Sequence, residues 1–407
     1  MEIGNLGVTA AMGFKAAGGY AGIKKNETND MAILYSVVPC VAVGTFTTNV
    51  VQAAPVKWDR HIVNDCEAAQ AVIINSGIAN ACTGAEGYSV CEQTAKAAAE
   101  ILEIPENSVL CASTGVIGQQ IPVEKITNGI AKLAPALSNS REAAAVAARA
   151  IMTTDTVPKE VSVSFKIGDK TVTIGGMCKG SGMIHPNMAT MLVFLTTDAV
   201  ISKRMLQEAL SDVIRDTFNM VSVDGDTSTN DSVLLLANGL AGNPDIARKD
   251  ENYEIFRNAL FELNKALAMK IASDGEGATR MFEVKITGAK TKQQAVTLAK
   301  SVITSNLTKA AIFGSDANWG RILCAMGYSG AKFDPEKVDL WFESKAGRIQ
   351  IIENGVAVDY SEEEATKILS EEAVTATADI KEGDAEATAW GCDLTYDYVK
   401  INADYRS

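Results

Sequence analysis

Two histidines, His61 and His185, are all the imidazole this 407-residue chain holds. A Ser-His-Asp or Cys-His nucleophile would have to be built on one of them. His61 follows Asp59-Arg60 in isolation and reads as a surface or structural residue. His185 stands in a glycine-punctuated loop and is harder to set aside. Neither H-E-x-x-H nor the His/Cys/Cys zinc pattern is present, and no set of ligands groups into a metal site. The eight cysteines (Cys40, Cys66, Cys82, Cys91, Cys111, Cys178, Cys324, Cys392) are scattered without a C-x-x-C pair, as reduced and mostly buried thiols would be. Nucleotide motifs fail as well: there is no P-loop, and Gly176, Gly180 and Gly182 do not make a dinucleotide fingerprint. Asp224-Gly225-Asp226 begins like a calcium loop, but Thr229 sits where the sharp turn needs glycine.

What remains is a hydroxyl in a special place. Lys179-Gly180-Ser181-Gly182-Met183-Ile184-His185-Pro186-Asn187-Met188-Ala189 leads into Thr190, the first residue of an apolar run to Leu195 that reads as a central strand. Cutting the Ala189-Thr190 bond would give Thr190 a free α-amine. With a pKa of about 8, that amine can serve as base for the residue's own hydroxyl, which removes the need for histidine. The plainer reading is that Thr190 is a β-former opening a buried strand.

Elements that could hold such a residue alternate along the whole chain. Strands are expected at 71–74, 108–112, 190–195, 232–237, 281–287 and 338–343. Helices are expected at 88–102, after Pro122, and at 141–152, 202–217, 251–272 and 291–304. Hairpins are expected about Gly168-Asp169 and Asn354-Gly355, and a glycine-containing loop at 113–118. The mixture lacks a strict βαβ rhythm, so layered α+β is favoured over a doubly wound sheet. The chain is long enough for two or three compact units at roughly 150 residues each. Its 47% hydrophobic content excludes a disordered or coiled-coil protein. Charge points to small-molecule partners: Lys+Arg 37 against Asp+Glu 50 leaves −13, with no basic run to neutralise nucleic acid. No targeting segment opens the sequence, and no apolar run reaches the roughly 20 residues a bilayer needs, so no membrane partner is expected and the cytoplasm is the expected compartment.

The segment from Lys179 to Asp198 resembles the self-processing segment of the ornithine acetyltransferases, the glutamate N-acetyltransferase family of arginine biosynthesis. Further stretches resemble the family in order along the chain: 13–18, Asn75-Ser76-Gly77 to Thr83-Gly84, 113–118, Thr153-Thr154-Asp155-Thr156, 274–279, Asn318-Trp319-Gly320-Arg321 and 402–407. Departures are small: Ile78 where Asn is usual, Ala317 where Pro often stands, and Ser407 where many members end in Thr.

The resemblance implies a layered α-β-β-α sandwich like that of the N-terminal-nucleophile hydrolases, with a second, smaller α/β unit. It implies cleavage between Ala189 and Thr190 into fragments 1–189 and 190–407, which stay associated, with two copies of each in the assembly. Thr190 would take the acetyl group from N-acetylornithine and pass it to glutamate. Thr114 and Gly115 would form the oxyanion hole. Thr156, Lys179, Glu276, Asn402 and Ser407, with Thr190 itself, would bind substrate. Lys179 is a reasonable partner for a carboxylate and Glu276 for an ammonium. Asn402 and Ser407 imply that the last residues fold back into the pocket. No metal or tightly bound cofactor is needed, and acetyl-CoA is a second donor for some members of the family but not others.

Two rival readings stand beside this one. A self-processing threonine amidase or aminopeptidase would use the same nucleophile and give the acyl group to water. An uncleaved binding protein for basic amino acids would use Lys179 and Glu276 as ligand contacts only.

Overall fold

The structure is a computed structural model and describes residues 1–185 and 191–404. In chain order the first part contains β1 (Glu2–Gly4), β2 (Phe14–Gly19), β3 (Met31–Phe46), α1 (Ala54–Asp65), β4 (Ala69–Ile78), α2 (Gly84–Leu102), β5 (Val109–Val116), α3 (Val123–Leu133), α4 (Arg141–Ala150), β6 (Lys159–Ile167) and β7 (Lys170–Lys179). The second part contains β8 (Leu192–Thr197), α5 (Lys203–Arg215), β9 (Val221–Ser222), β10 (Ser232–Ala237), α6 (Glu251–Ser273), β11 (Met281–Ala289), α7 (Lys292–Ile303), α8 (Asn306–Phe313) and α9 (Trp319–Gly327). After these come β12 (Asp339–Ser344), β13 (Gly347–Glu353), β14 (Val356–Ala357), α10 (Glu362–Leu369), β15 (Ala373–Asp379), β16 (Ala385–Cys392) and α11 (Tyr396–Asp404).

A nine-stranded sheet runs β1-β6-β7-β8-β10-β3-β4-β5, with β2 also on β3. The sixteen-residue β3 joins its two halves. Residues 31–36 pair with β2, and 31–35 with β4, while 41–46 pair with β10. Exposed Pro39, which has no N–H to give a ladder, lies where the pairing changes hands. β8 and β10 are parallel neighbours and every residue of both is buried, which explains their unbroken apolar runs. Val193, Leu195, Val233 and Leu235 pack into one core with α5 and α6. The alternate residues Leu192, Phe194, Leu234 and Leu236 pack into another with β2, β4, β5 and α1 to α4. Helices therefore cover sheet layers on both sides, the layered α+β arrangement expected from the sequence.

The second sheet runs β14-β13-β12-β15-β11-β16-β9. Helix α6 lies between the two sheets, packing on β6 and β7 of one and β16 of the other, and α7 packs on β11 and β16. Side chains at Ser202, Asp250 and Thr291 accept the first free N–H groups of α5, α6 and α7, which sets where those helices begin. One continuous apolar core joins this unit to the first.

Two expectations need correcting. The loop expected at 113–118 is strand as far as Val116, because β5 continues alongside β4 through Gly115. The helix expected from Tyr88 begins at Gly84. The strand expected from Thr190 is described from Leu192 to Thr197. It lies between β7 and β10, so residues on either side of position 190 are woven into one sheet.

Candidate active site

A cavity of about 120 Å³ opens where β4 and β5 end, and its walls include Thr114, Gly115, Lys179, Gly182, Asn230, Glu276 and Asn402. Five residues singled out in the sequence, spread from position 114 to 402, thus meet in one place. A larger cavity of about 720 Å³ between α5, α6 and α7 contains none of them.

Gly115 forms one wall because its backbone admits little else. Its φ is +127°, and an added Cβ would press into the Gly77 carbonyl and lie 2.7 Å from the Ile78 nitrogen. Gly77, its partner across the ladder, also has positive φ, at +108°. The two strands approach closely here and leave the Thr114-Gly115 backbone at the cavity.

Lys179 is the last residue of β7 and is only 8% exposed. Its ammonium makes no hydrogen bond or ion pair with a described residue. A buried cation facing a cavity is a place for an incoming carboxylate. Glu276, 9% exposed, faces the same space; its carboxylate accepts from Asn402 Nδ2 at 2.8 Å and its N–H donates to the Ser181 carbonyl at 3.0 Å. Gly182 is required beside it, since a Cβ there would run into the Glu276 carboxyl group. The cavity therefore offers one charge of each sign, which suits an amino-acid head group. Asn402 lies in α11, so that helix reaches the pocket.

Thr156 is exposed and is not in the cavity wall; its hydroxyl and N–H both donate to Asp274. Ala189, Thr190 and Ser407 lie outside the described residues.

Beneath the cavity runs a buried set of charges that the sequence reading did not find. Lys159 Nζ reaches Asp155 Oδ1 at 2.7 Å and Asp274 Oδ2 at 2.5 Å, and Asp155 Oδ1 also accepts the Gly180 N–H at 2.8 Å. Burial raises the Asp155 carboxyl, but the Lys179 and Lys159 ammoniums overcome it and hold the group at about 2. The glycine loop after β7 is thereby tied to an ionised carboxylate.

The far part of that loop is fixed by Asp224, whose carboxylate accepts from the Met183 N–H at 2.7 Å and the Ile184 N–H at 2.9 Å. Burial pushes the Asp224 carboxyl up. The Asp224-Gly225-Asp226 segment is thus a loop anchor. The Ile184 carbonyl takes the Val223 N–H at 2.7 Å, the His185 carbonyl takes the Thr227 hydroxyl at 2.8 Å, and His185 Nδ1 lies 3.1 Å from Ser222 Oγ. Burial and the nearby Lys300 lower the His185 pKa to about 4, so the ring is neutral near pH 7. On the other side, the Met191 carbonyl accepts the Ser232 N–H at 2.9 Å. The chain is therefore held immediately before and after 186–190.

Thr153, Thr154, Ser228, Thr229 and Asn230 also line the cavity and were missed. The first two sit in the quoted Thr153-Thr154-Asp155-Thr156 stretch, of which only Thr156 was singled out. Asn230 carries no local signal.

The sequence model of the ArgJ family matches residues 15–407. The chain is 53% identical over 403 residues to the arginine biosynthesis bifunctional protein ArgJ of Symbiobacterium thermophilum, covering 98% of each. It is 50% identical over 406 residues to ArgJ 1 of Clostridium acetobutylicum, covering 100% of this chain and 98% of that one. The crystal structure of the Bacillus halodurans arginine biosynthesis bifunctional protein ArgJ superimposes with a TM-score of 0.50 at 46% identity, covering 52% of this chain and 98% of that one.

Proposed function

This chain belongs to the ArgJ family, and from that premise we propose that it transfers an acetyl group from N-acetylornithine to glutamate, as an enzyme of arginine biosynthesis. The observation that carries the reading is the cavity that gathers Thr114, Gly115, Lys179, Glu276 and Asn402 from distant parts of the sequence.

Thr190 is the nucleophile in this proposal. Its hydroxyl first attacks the Ala189 carbonyl, the amide becomes an ester, and water hydrolyses the ester to leave Ala189 as a carboxylate and Thr190 as an α-amine. That amine then takes the proton from the Thr190 hydroxyl as the oxygen attacks the acetyl carbonyl of N-acetylornithine. The tetrahedral intermediate collapses, the protonated ornithine amine leaves, and an acetyl ester remains on Thr190. The glutamate α-amine attacks that ester in turn and restores the hydroxyl. Thr114 and Gly115 supply the donors for each oxyanion. Lys179 receives the substrate carboxylate and Glu276 the ornithine ammonium, while Asn402 steadies the Glu276 carboxylate. Ser407 is a further substrate-binding residue in this proposal, and Thr156 acts through Asp274.

The chemistry requires no metal or tightly bound cofactor, and acetyl-CoA is the second donor to test. Fragments 1–189 and 190–407 remain one fold, two copies of each assemble, and the enzyme works in the cytoplasm. Among the described residues no helix is long and apolar enough to cross a membrane.

The test is acceptor dependence. Purified protein given N-acetylornithine should form ornithine and N-acetylglutamate in equal amounts only when glutamate is present. Ornithine and acetate released at the same rate without glutamate would make the protein a hydrolase and overturn the reading. Acetyl-CoA with glutamate alone, in the same assay, decides the second donor.

A further inference from the structure

Among the described residues β5 is the last strand of its sheet, and one of its two edges has no described strand beside it. Successive residues of a strand turn their N–H and C=O groups to opposite edges. The Val116 carbonyl faces the β4 side, where it accepts the Ala79 N–H at 2.9 Å. The bonds made by Val109, Cys111 and Ser113 put these alternate residues on the open edge. Along it, side chains meet the backbone in order. Trp58 Nε1 donates to the Val109 carbonyl at 2.9 Å, the Cys111 N–H donates to Asp59 Oδ1 at 2.7 Å, and Asn230 Nδ2 donates to the Ser113 carbonyl at 2.8 Å. Carried one step further, this alternation brings the Gly115 N–H to the same edge, and Gly115 lines the cavity.

A glycine on an open strand edge has more backbone freedom than any other residue, so something must fix the direction of its N–H. Asn230 is placed to do so. It is 7% exposed, and its Nδ2 also donates to the Ala79 carbonyl at 2.5 Å, just after β4. Two carbonyls, which can only accept, therefore fix which end of the amide is nitrogen. The other end, Oδ1, accepts from the Thr229 hydroxyl at 2.6 Å. One side chain thus binds the ends of β4 and β5 together where Gly77 and Gly115 take positive φ.

We infer that Asn230 is a positioning residue for acetyl transfer: its amide stands in for the missing partner strand at Ser113 and holds the Gly115 N–H toward the oxyanion, with Thr229 locking the amide. This rests on reading Thr114 and Gly115 as the oxyanion donors. It also gives residues 190–407 control over a donor carried by residues 1–189.

The test compares Asn230→Ala, Thr229→Val, Thr229→Ser and Thr114→Ala. Steady-state rates are measured per cleaved molecule, the cleaved fraction by intact mass, and folding by thermal melt. Asn230→Ala should lower kcat about tenfold or more with KM for both substrates within about twofold, and should slow self-cleavage, which passes through the same oxyanion. Thr229→Val should give a smaller fall in kcat, and Thr229→Ser should restore it. If Asn230→Ala does not fold, the Thr229 pair decides. Unchanged kcat in Thr229→Val, or a loss confined to KM, overturns the inference. Thr114→Ala, which removes the Thr114 hydroxyl and keeps the backbone N–H groups, separates the two levels: if it leaves kcat intact, the reading of the Thr114 hydroxyl as an oxyanion donor fails, whereas if it lowers kcat and the Asn230 and Thr229 variants do not, only the positioning role falls.

Discussion

Lys159, Asp155 and Asp274 meet beneath the cavity with at most 8% of any of them exposed, whereas Lys285 and Glu386 meet at 3.2 Å on the second sheet with 39% and 61% of their side chains in solvent. Both are ion pairs by distance. The first set holds the Gly180 loop and the Thr156 backbone in place, and the second joins two strands already paired through their backbones. A buried charge that loses its partner is left unsolvated, while an exposed one is taken up by water. The difference shows where this molecule spends stability to fix geometry: at the cavity and not at the far sheet.

The comparison breaks most visibly at Lys159. Lys159→Met removes the ammonium bonded to both buried carboxylates and should cost about 3–5 kcal/mol, read from urea denaturation; a loss below about 1 kcal/mol would make the buried set no different from the exposed pair. Lys179 comes next. Lys179→Met should raise KM for N-acetylornithine and for glutamate about 10- to 100-fold with little change in kcat, and steady-state kinetics with each substrate varied would reveal it. Unchanged KM would mean that the cation does not receive the carboxylate.

His185 gives a smaller, pH-dependent effect. Its pKa is about 4 in the fold against an ordinary value of about 6.5. The unfolded chain therefore takes up a proton in that interval while the folded one does not. This contribution to stability is complete above pH 6.5 and is lost as pH falls to about 4. His185→Gln should flatten the fall in Tm across that window, and an identical slope in both proteins would remove the assignment. Glu386→Gln should be the mildest, changing stability by no more than about 0.5 kcal/mol, measured in the same denaturation series.

The sequence disclosed much of this arrangement through local signals. Alternation marked the β6–β7 hairpin about Gly168-Asp169, and the runs 192–197 and 232–237 were legible because central strands are apolar on both faces. The same logic failed for β3, whose sixteen residues include Pro39 and Gly44 and serve three different partners. It failed again at β5, where the glycines that suggested a loop serve a close approach of two strands. Thr114, Gly115, Lys179, Glu276 and Asn402 were legible by resemblance, since each stands in a stretch the family shares. Asn230, Lys159 and Asp274 act through partners 115 to 151 residues away, a kind of contact that no local pattern records. Asp224 was noticed only as the start of a calcium loop that fails at Thr229, and its actual work, accepting two backbone N–H groups from residues about 40 positions earlier, leaves no local pattern.

The central claim is that Thr190 cuts the chain and then carries the acetyl group. The most direct measurement is the intact mass of the purified protein under denaturing conditions, beside a Thr190→Ala variant and after brief exposure to N-acetylornithine. The account predicts two fragments, ending at Ala189 and beginning at Thr190, with the mass of one acetyl group added to the second on exposure, and a single uncut chain in the variant. One uncut chain in both proteins, with no acetyl adduct, would contradict it.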